Sequence, residues 1–384
     1  MNDLFYKGSF GIERETLRID SNGRLAQTPH PFGEDERLTR DFCENQTEIV
    51  TPVCQSIDEA MEKLSELDTK ARKILSENDE SFWLYSNPPR IENEDKIPIA
   101  NFIGEHSGKR LYRDQLERRY GKRLMLFSGI HFNFSFSDDY LRSVCDDDDF
   151  EMFKSRFYLK LYRQASVHSW LPLLLTAASP VYDISLDRDG QSGAELSEYS
   201  SLRSSKRGYW NGFVPVLNTE NIGSFVGSIE YYVNKGVLFS ASELYLPVRL
   251  KPRGINKLEN FVNGISHIEL RMFDLNPFEP LGIDRHDLEF AHLLLMYLSR
   301  QPDIVYNEEQ QIRAVENHKE AAKYDLSEVY IDNVPIIERA SQIIDDMDRM
   351  LDTESSKQIL RYEKDKLNDL LCRRIKAEDI YKRR

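Results

Sequence analysis

Apolar and polar positions alternate along several stretches of the chain and recur at helical spacing along others. Residues 9–20 predict a strand that ends on the Ser21-Asn22-Gly23 turn. Ser56 followed by Glu59 predicts a capping box, after which Ala60, Met61, Leu64, Leu67, Ala71 and Ile74 recur with a helical period. Residues 109–120 predict a basic helix. Over 126–136, Ile130, Phe132, Phe134 and Phe136 point one way and His131, Asn133 and Ser135 the other, as on a strand with one buried face. Residues 150–177 carry one long helical pattern, and the polar, acidic, Gly-containing stretch 183–200 predicts a mobile loop. A further strand is expected over 267–275, Asp284 is placed to cap a helix running to Leu298, and 335–380 is helical and highly charged. No internal repeat, low-complexity tract or interdomain linker interrupts this order. The expected molecule is one compact body with a helical C-terminal portion.

Composition narrows the class. At roughly 150 residues per domain, 384 residues allow two or three domains or a single large α/β domain. A chain that is 40% hydrophobic and 30% charged is globular rather than disordered. With 51 Lys and Arg against 65 Asp and Glu, the net charge of −14 repels phosphate backbones, so a nucleic-acid partner is disfavoured. Metal ions could still carry a triphosphate into an acidic site. Cys43, Cys54, Cys145 and Cys372 form no CxxC pair, which excludes zinc-ribbon and thioredoxin readings and favours reduced thiols. Residues 1–11 have no apolar signal core, and the longest apolar runs fall far short of the ~20 residues of a membrane span. A cytoplasmic protein without a membrane partner is the expectation.

Candidate chemistry lies on the predicted strands. Glu13 and Glu15 are two apart and leave the same face, where two carboxylates stay ionised only beside positive charge such as a hard divalent cation. A solvent-facing edge with Arg14 and Arg18 as partners would also accommodate them. Asp41 and Glu48, within the stretch 41–52, are further candidates, or ordinary strand-edge acids. His131 stands on the polar face of an aromatic strand, and Glu269 and Arg271 share a face of another, as an ion pair or as a metal ligand beside a phosphate-neutralising arginine. The run Asp146–Asp149 lacks ordered ligand spacing and is expected to be a solvated loop with Asp149 capping the next helix. No GxxxxGK[ST] occurs and no GxGxxG follows a strand. A carboxylate cage without a P-loop points to nucleotide binding bridged by two or three Mg²⁺ or Mn²⁺ ions.

The segments Gly11–Ile19, Asp41–Pro52, Leu111–Asp114, Arg119–Gly121, Ser128–Ser135, Ser201–Arg203, Gly208–Tyr209, Glu243–Arg249 and Ile268–Phe278, taken in order, resemble the bacterial glutamate–cysteine ligase (γ-glutamylcysteine synthetase) family, including the ligase half of bifunctional glutathione synthases. The resemblance implies an α+β, glutamine-synthetase-like fold: a curved, mainly antiparallel sheet forming a funnel, with helices outside. It implies a catalytic domain over 1–300 and a helical portion over 301–384 packed on the same body. The implied reaction is ATP-dependent joining of the γ-carboxylate of L-glutamate to the amine of L-cysteine through an acyl phosphate. Carried over residue by residue, it assigns Glu13, Glu15, Asp41, Glu48, His131 and Glu269 to magnesium and Arg271 and Arg113 to the phosphorylated glutamate or nucleotide phosphates. Arg203 is assigned to glutamate, and Tyr112, Tyr209, Tyr245, Phe42 and Leu116 to the acceptor pocket.

Two departures stand out. Six residues before His131, where the family commonly has glutamine, this chain has Met125, an apolar group in place of a two-way hydrogen bonder. A different amino acid or amine acceptor, small and apolar or sulfur-bearing, is therefore the second expectation, and a non-catalytic homologue a third. The chain is also shorter than the family norm at both ends and carries no ATP-grasp half, so by itself it is not expected to complete glutathione.

Overall fold

The computed structural model describes residues 3–102, 108–188 and 190–382. Strand β1 (Gly8–Asp20) lies inside the main sheet rather than at its edge. It is followed by β2 (Leu38–Arg40), β3 (Gln46–Val50), helix α1 (Ile57–Ser76), β4 (Glu80–Trp83), α2 (Gly108–Tyr120) and β5 (Ile130–Phe136). Helices α3 (Asp138–Ser143), α4 (Phe150–Val167) and α5 (Trp170–Thr176), strands β6 (Val181–Asp183) and β7 (Ala194–Leu196), and α6 (Ile222–Asn234) come next. Then come β8 (Val248–Pro252), β9 (Ile265–Phe273), α7 (Arg285–Arg300) and α8 (Glu308–Ala321). A two-stranded ribbon, β10 (Tyr330–Ile331) and β11 (Val334–Pro335), precedes α9 (Ile336–Met350), α10 (Glu354–Asn368) and α11 (Leu370–Lys382).

The main sheet runs β2-β3-β1-β5-β9-β8, with β4 paired to the end of β1, and every one of these pairings is antiparallel. One face of β5 packs Phe132, Phe134 and Phe136 into an aromatic core that includes Phe10 and the ring of His292. That side is covered by α1, α4, α5 and α7. Arg14 and Arg18 also point there: Arg14 pairs with Asp68 of α1 and Arg18 with Glu80 of β4, all of them buried. They are therefore not the partners of Glu13 and Glu15, whose side chains leave the opposite face. Helices α8 to α11 pack back onto α4, α5, α7 and the β6–β7 pair.

Three local expectations are corrected. The Ser56 hydroxyl accepts the Glu59 N–H as expected, but the Glu59 carboxylate accepts the N–H of Gln55 and not that of Ser56, so the reciprocal bond is displaced by one residue. The pattern over 150–177 is two helices. Pro172 has no N–H, and in a continuous helix its ring would press on the His168 carbonyl four residues back. The chain turns at 168–169 instead, and Pro172 sits in the first turn of α5, where its missing donor costs nothing. Finally, 183–200 is not a plain loop: β6 and β7 pair antiparallel, the Asp183 carboxylate accepts the N–H groups of Ser185 and Gly193, and Ser197, Ser200 and Ser201 are buried. Asp149 does cap α4, accepting the N–H groups of Glu151 and Met152, while Asp146 and Asp147 pair with Arg156.

Candidate active site

The uncovered face of the sheet carries the polar outliers of five neighbouring strands, β3, β1, β5, β9 and β8. Cross-strand register sets Glu13 opposite His131, Glu15 opposite Glu48, Asn133 opposite Glu269, and Glu269 opposite Arg249. Between β5 and β9 the register slips: Ile130 faces Phe273 and Phe132 faces Leu270. Strand β9 thus has one more residue than β5 beside His131, a bulge that re-aims side chains locally. The result is a tight group in which one ligand-type atom from each of Glu13, His131 and Glu269 lies within 4.8 Å of the others. His131 Nδ1 is 3.1 Å from Glu13 Oε2 and 3.8 Å from Glu269 Oε1, and its Nε2 is 3.5 Å from Glu15 Oε1. The Asn133 amide donates to Glu13 Oε1 at 3.1 Å.

Glu13, Glu15, His131 and Glu269 line a cavity of about 310 Å³ together with Asp41, Phe42, Glu48, Tyr112, Arg113, Leu116, Met125, Tyr209, Tyr245 and Arg271. Every sequence-nominated site residue except Arg203 borders it. Arg203 borders an adjoining void of about 40 Å³ with Tyr209, Tyr245 and Arg271, so it sits just behind the same wall. Among the nominated acids, Glu15 and Glu269 are buried, whereas the Asp41 side chain is 44% exposed and stands at the rim. Helix α2 brings in Tyr112, Arg113 and Leu116, and Arg113 is fixed by donating to the carbonyl oxygens of Asp41 and Lys109. The rings of Tyr209 and Tyr245 meet edge-on at 4.9 Å, and Met125 comes from the short turn Leu124–Leu126 ahead of β5.

Two cations that the sequence reading did not assign also belong here. Arg249 and Lys251 of β8 face the cavity, and Lys251 Nζ lies 3.0 Å from Glu269 Oε1, beside Arg271 Nη1 at 3.2 Å. The signal is present in the chain: in Val248-Arg249-Leu250-Lys251 the strand alternates strictly, with both cations on one face.

Charge crowding governs protonation. Five carboxylates and four cations line the cavity. Burial, then the Asp41 carboxylate, pushes Glu15 up to about 8, and burial with the charges of Glu13 and Asp41 holds Glu48 well above the usual range. Burial acts on Glu269 in the same direction, but Lys251 and Arg271 outweigh it and keep this carboxyl well below the ordinary value. Burial, reinforced by the Arg271 charge, lowers His131 to about 4, so its ring is neutral and offers a lone pair.

The donor set fits a hard divalent cation. His131 Nε2 and Glu269 Oε2 are buried without a hydrogen-bond partner among the described residues, the state expected of atoms whose partner is an ion. Carboxylate oxygens with one neutral imidazole suit Mg²⁺ or Mn²⁺. Added positive charge would also let Glu15 and Glu48 ionise.

A sequence profile of the family described as glutamate-cysteine ligase matches residues 1–230 and 213–321. The chain is 32% identical over 400 aligned residues to a glutathione biosynthesis bifunctional protein of Clostridium perfringens, covering 96% of this chain and 51% of that protein. It is 30% identical to a glutamate–cysteine ligase of Clostridium acetobutylicum, covering 84% of this chain and 78% of that one. It thus spans about half the length of the bifunctional relatives it matches. Among solved structures, a bifunctional glutathione synthetase from Pasteurella multocida superposes with a TM-score of 0.83 at 27% identity, over 99% of this chain and 53% of that one. A glutamate–cysteine ligase from Francisella tularensis shares the fold, with a TM-score of 0.85 at 23% identity over 98% of this chain and 89% of that one. By profile, by identity over most of its length and by fold, the chain belongs to the glutamate–cysteine ligase family.

Proposed function

We propose that this chain is an ATP-dependent ligase that joins the γ-carboxylate of L-glutamate to the amine of L-cysteine through γ-glutamyl phosphate, giving γ-glutamylcysteine, ADP and phosphate, the first step of glutathione biosynthesis. The observation that carries the reading is the convergence of Glu13, His131 and Glu269, with two unpartnered buried ligand atoms, beside Arg271 and Arg203. The same reading includes the glutamine-synthetase-like funnel, a catalytic portion over 1–300 braced by 301–384, and a cytoplasmic setting. Among the described residues no helix is long and apolar enough to cross a membrane.

Glu13, Glu15, Asp41, Glu48, His131 and Glu269 would hold the ions. Bound Mg²⁺ would neutralise the triphosphate and the carboxylate that receives its γ-phosphoryl group. Arg203 would seat glutamate by charge-assisted hydrogen bonds, and Arg271 would lie over the phosphorylated γ-carboxylate, where charge develops. Arg113 would act from the facing wall on the same oxygens. The amine attacks the acyl carbon, the C–O bond to phosphate breaks, phosphate leaves with the bonding pair, and the nitrogen sheds its proton. None of these steps needs an enzyme nucleophile. A second cavity of about 360 Å³ opens beside Arg249, Lys251, Ser242 and Asn256, and its apolar wall, including Phe225 and Phe261, suits the base of the nucleotide.

Tyr112, Tyr209 and Tyr245 with Phe42, Leu116 and Met125 would form the acceptor pocket. Met125 is 7% exposed and lines the cavity with a thioether, so an acceptor whose side chain needs no hydrogen bond is the second reading. The test is phosphate release with glutamate and Mg²⁺-ATP over a panel of amines, with the products weighed by mass spectrometry. Cysteine turnover that disappears with chelator and returns with Mg²⁺ supports the first reading. Turnover with another amine alone supports the second, and nucleotide binding without any turnover would overturn both.

A further inference from the structure

Arg203 is 5% exposed, yet among the described residues its guanidinium has a single hydrogen-bonded partner, the Arg271 carbonyl oxygen at 2.8 Å from Nη2, and its Nε is buried without one. What fixes so bare a charge is the chain around it. On one side the turn that bears Arg203 is tied down by Asp274. The Asp274 carboxylate accepts the Ser201 hydroxyl at 2.9 Å, the Ser179 hydroxyl at 2.6 Å and the Ala178 N–H at 3.1 Å, and the Ser201 oxygen in turn accepts the Ser204 N–H at 3.3 Å. On the other side lies Gly129, one residue before β5, whose carbonyl oxygen accepts the N–H of Glu15 at 3.0 Å. A Cβ at position 129 would stand 2.5 Å from Arg203 Cζ and 2.8 Å from both Nε and Nη2. The guanidinium therefore lies flat on the bare backbone of Gly129. Its plane is set by the strand pair that also presents Glu15 and His131.

We propose that Gly129 is a positioning residue for the acidic substrate: its missing side chain is the seat that aims the Arg203 guanidinium into the site. The proposal rests on the reading that Arg203 binds the glutamate carboxylate. Gly129 lines neither cavity, so it acts through Arg203 alone. The atoms that a new methyl would strike belong to the end of a long side chain, so Gly129→Ala can be absorbed by moving the guanidinium rather than by unfolding the strand. That movement carries the functional cost, because a displacement of about 1 Å in a bound group suffices to lower activity strongly.

The experiment is a double-mutant cycle on the full chain with Gly129→Ala, Arg203→Ala and the pair. Gly129→Ala should raise the KM for glutamate by about tenfold, with kcat and the KM for ATP changed by less than about threefold. In the Arg203→Ala background the added methyl should change the glutamate KM by less than about twofold, because the group it displaces is gone. An unchanged KM in Gly129→Ala, or the same rise in both backgrounds, would overturn the proposal. Should Gly129→Ala fold poorly, recovery of the Arg203→Ala melting temperature in the double variant supports the clash, and no recovery overturns it. If the wild-type chain releases no phosphate with glutamate, it is the ligase reading that fails. A crystal structure of Gly129→Ala then decides the seat by itself, with the guanidinium displaced by about 1 Å in support and undisplaced against.

Discussion

A side chain's worth in this site depends on which atoms around it lack partners. Glu13 and Glu269 flank the neutral His131 ring, and removing the negative charge of either would leave the proposed cation-binding face incomplete without altering shape. Glu13→Gln and Glu269→Gln are each expected to lower turnover by at least about a hundredfold while leaving the melting temperature within a few degrees. Wild-type-like phosphate release in both would remove the metal assignment. At Met125 the prediction concerns choice rather than rate. Met125→Gln places a hydrogen bonder on the proposed acceptor wall and should shift the ratio of kcat/KM for cysteine over an apolar amine of similar size by about tenfold toward cysteine. An unchanged ratio over the amine panel would place the acceptor side chain elsewhere. Much of this site is legible in the sequence, because residues two apart on a strand share a face: spacing alone pairs Glu13 with Glu15 and Glu269 with Arg271. The same rule puts Lys251 beside Arg249 but leaves its role silent. That role comes from standing 3.0 Å from Glu269, a contact across strands that no local spacing announces.

At the scale of elements, β1 has two chemistries on two faces. Glu13 and Glu15 face the cavity, while Arg14, fully buried, reaches the other way to Asp68 on α1 and lies 5.1 Å from the Phe82 ring centroid. Burying an arginine demands a partner, and losing that partner leaves a charge stranded among apolar groups. Asp68→Ala should therefore destabilise the fold by about 3 kcal/mol in urea titration, although Asp68 is on the far side of the sheet from the chemistry. A loss below about 0.5 kcal/mol would mean that the Leu281 carbonyl oxygen, 3.1 Å from Arg14 Nη1, satisfies the guanidinium unaided. The periodicity locates α1 and β5 because each presents one continuous apolar face, whereas the core-facing row of β1 is interrupted by Arg14 and Arg18. It misses the break between α4 and α5 because an apolar run keeps its period through a turn when both sides of the turn are buried, as Tyr162, Trp170 and Leu173 are. It cannot reveal the β9 bulge either, since an inserted residue is defined only against the partner strand.

Over the whole molecule, the C-terminal helices reach the rest of the chain through α10 on α7, and that seam buries a carboxyl from a helix whose sequence reads as highly charged. Glu363 is fully buried beside Asp287 of α7, with Lys366 at 2.8 Å, and among the described residues neither of its oxygens has a geometrically satisfactory hydrogen bond. Burial first, then the Asp287 carboxylate, outweighs the Lys366 charge and pushes Glu363 up to about 8. In the unfolded chain the same group titrates near 4.5. The folded chain thus binds this proton more tightly, and its contribution to stability is complete below pH 4.5 and lost as the pH rises through about 8. Glutamine imitates the protonated carboxyl at every pH, and Lys366 keeps Asp287 as its partner. Glu363→Gln should therefore match the wild type at pH 5 and exceed it by at least about 1 kcal/mol at pH 8.5, read as melting temperature against pH. A difference that stays constant from pH 5 to 8.5 would show that Glu363 ionises without cost, which the seam permits only if water reaches it between α7 and α10.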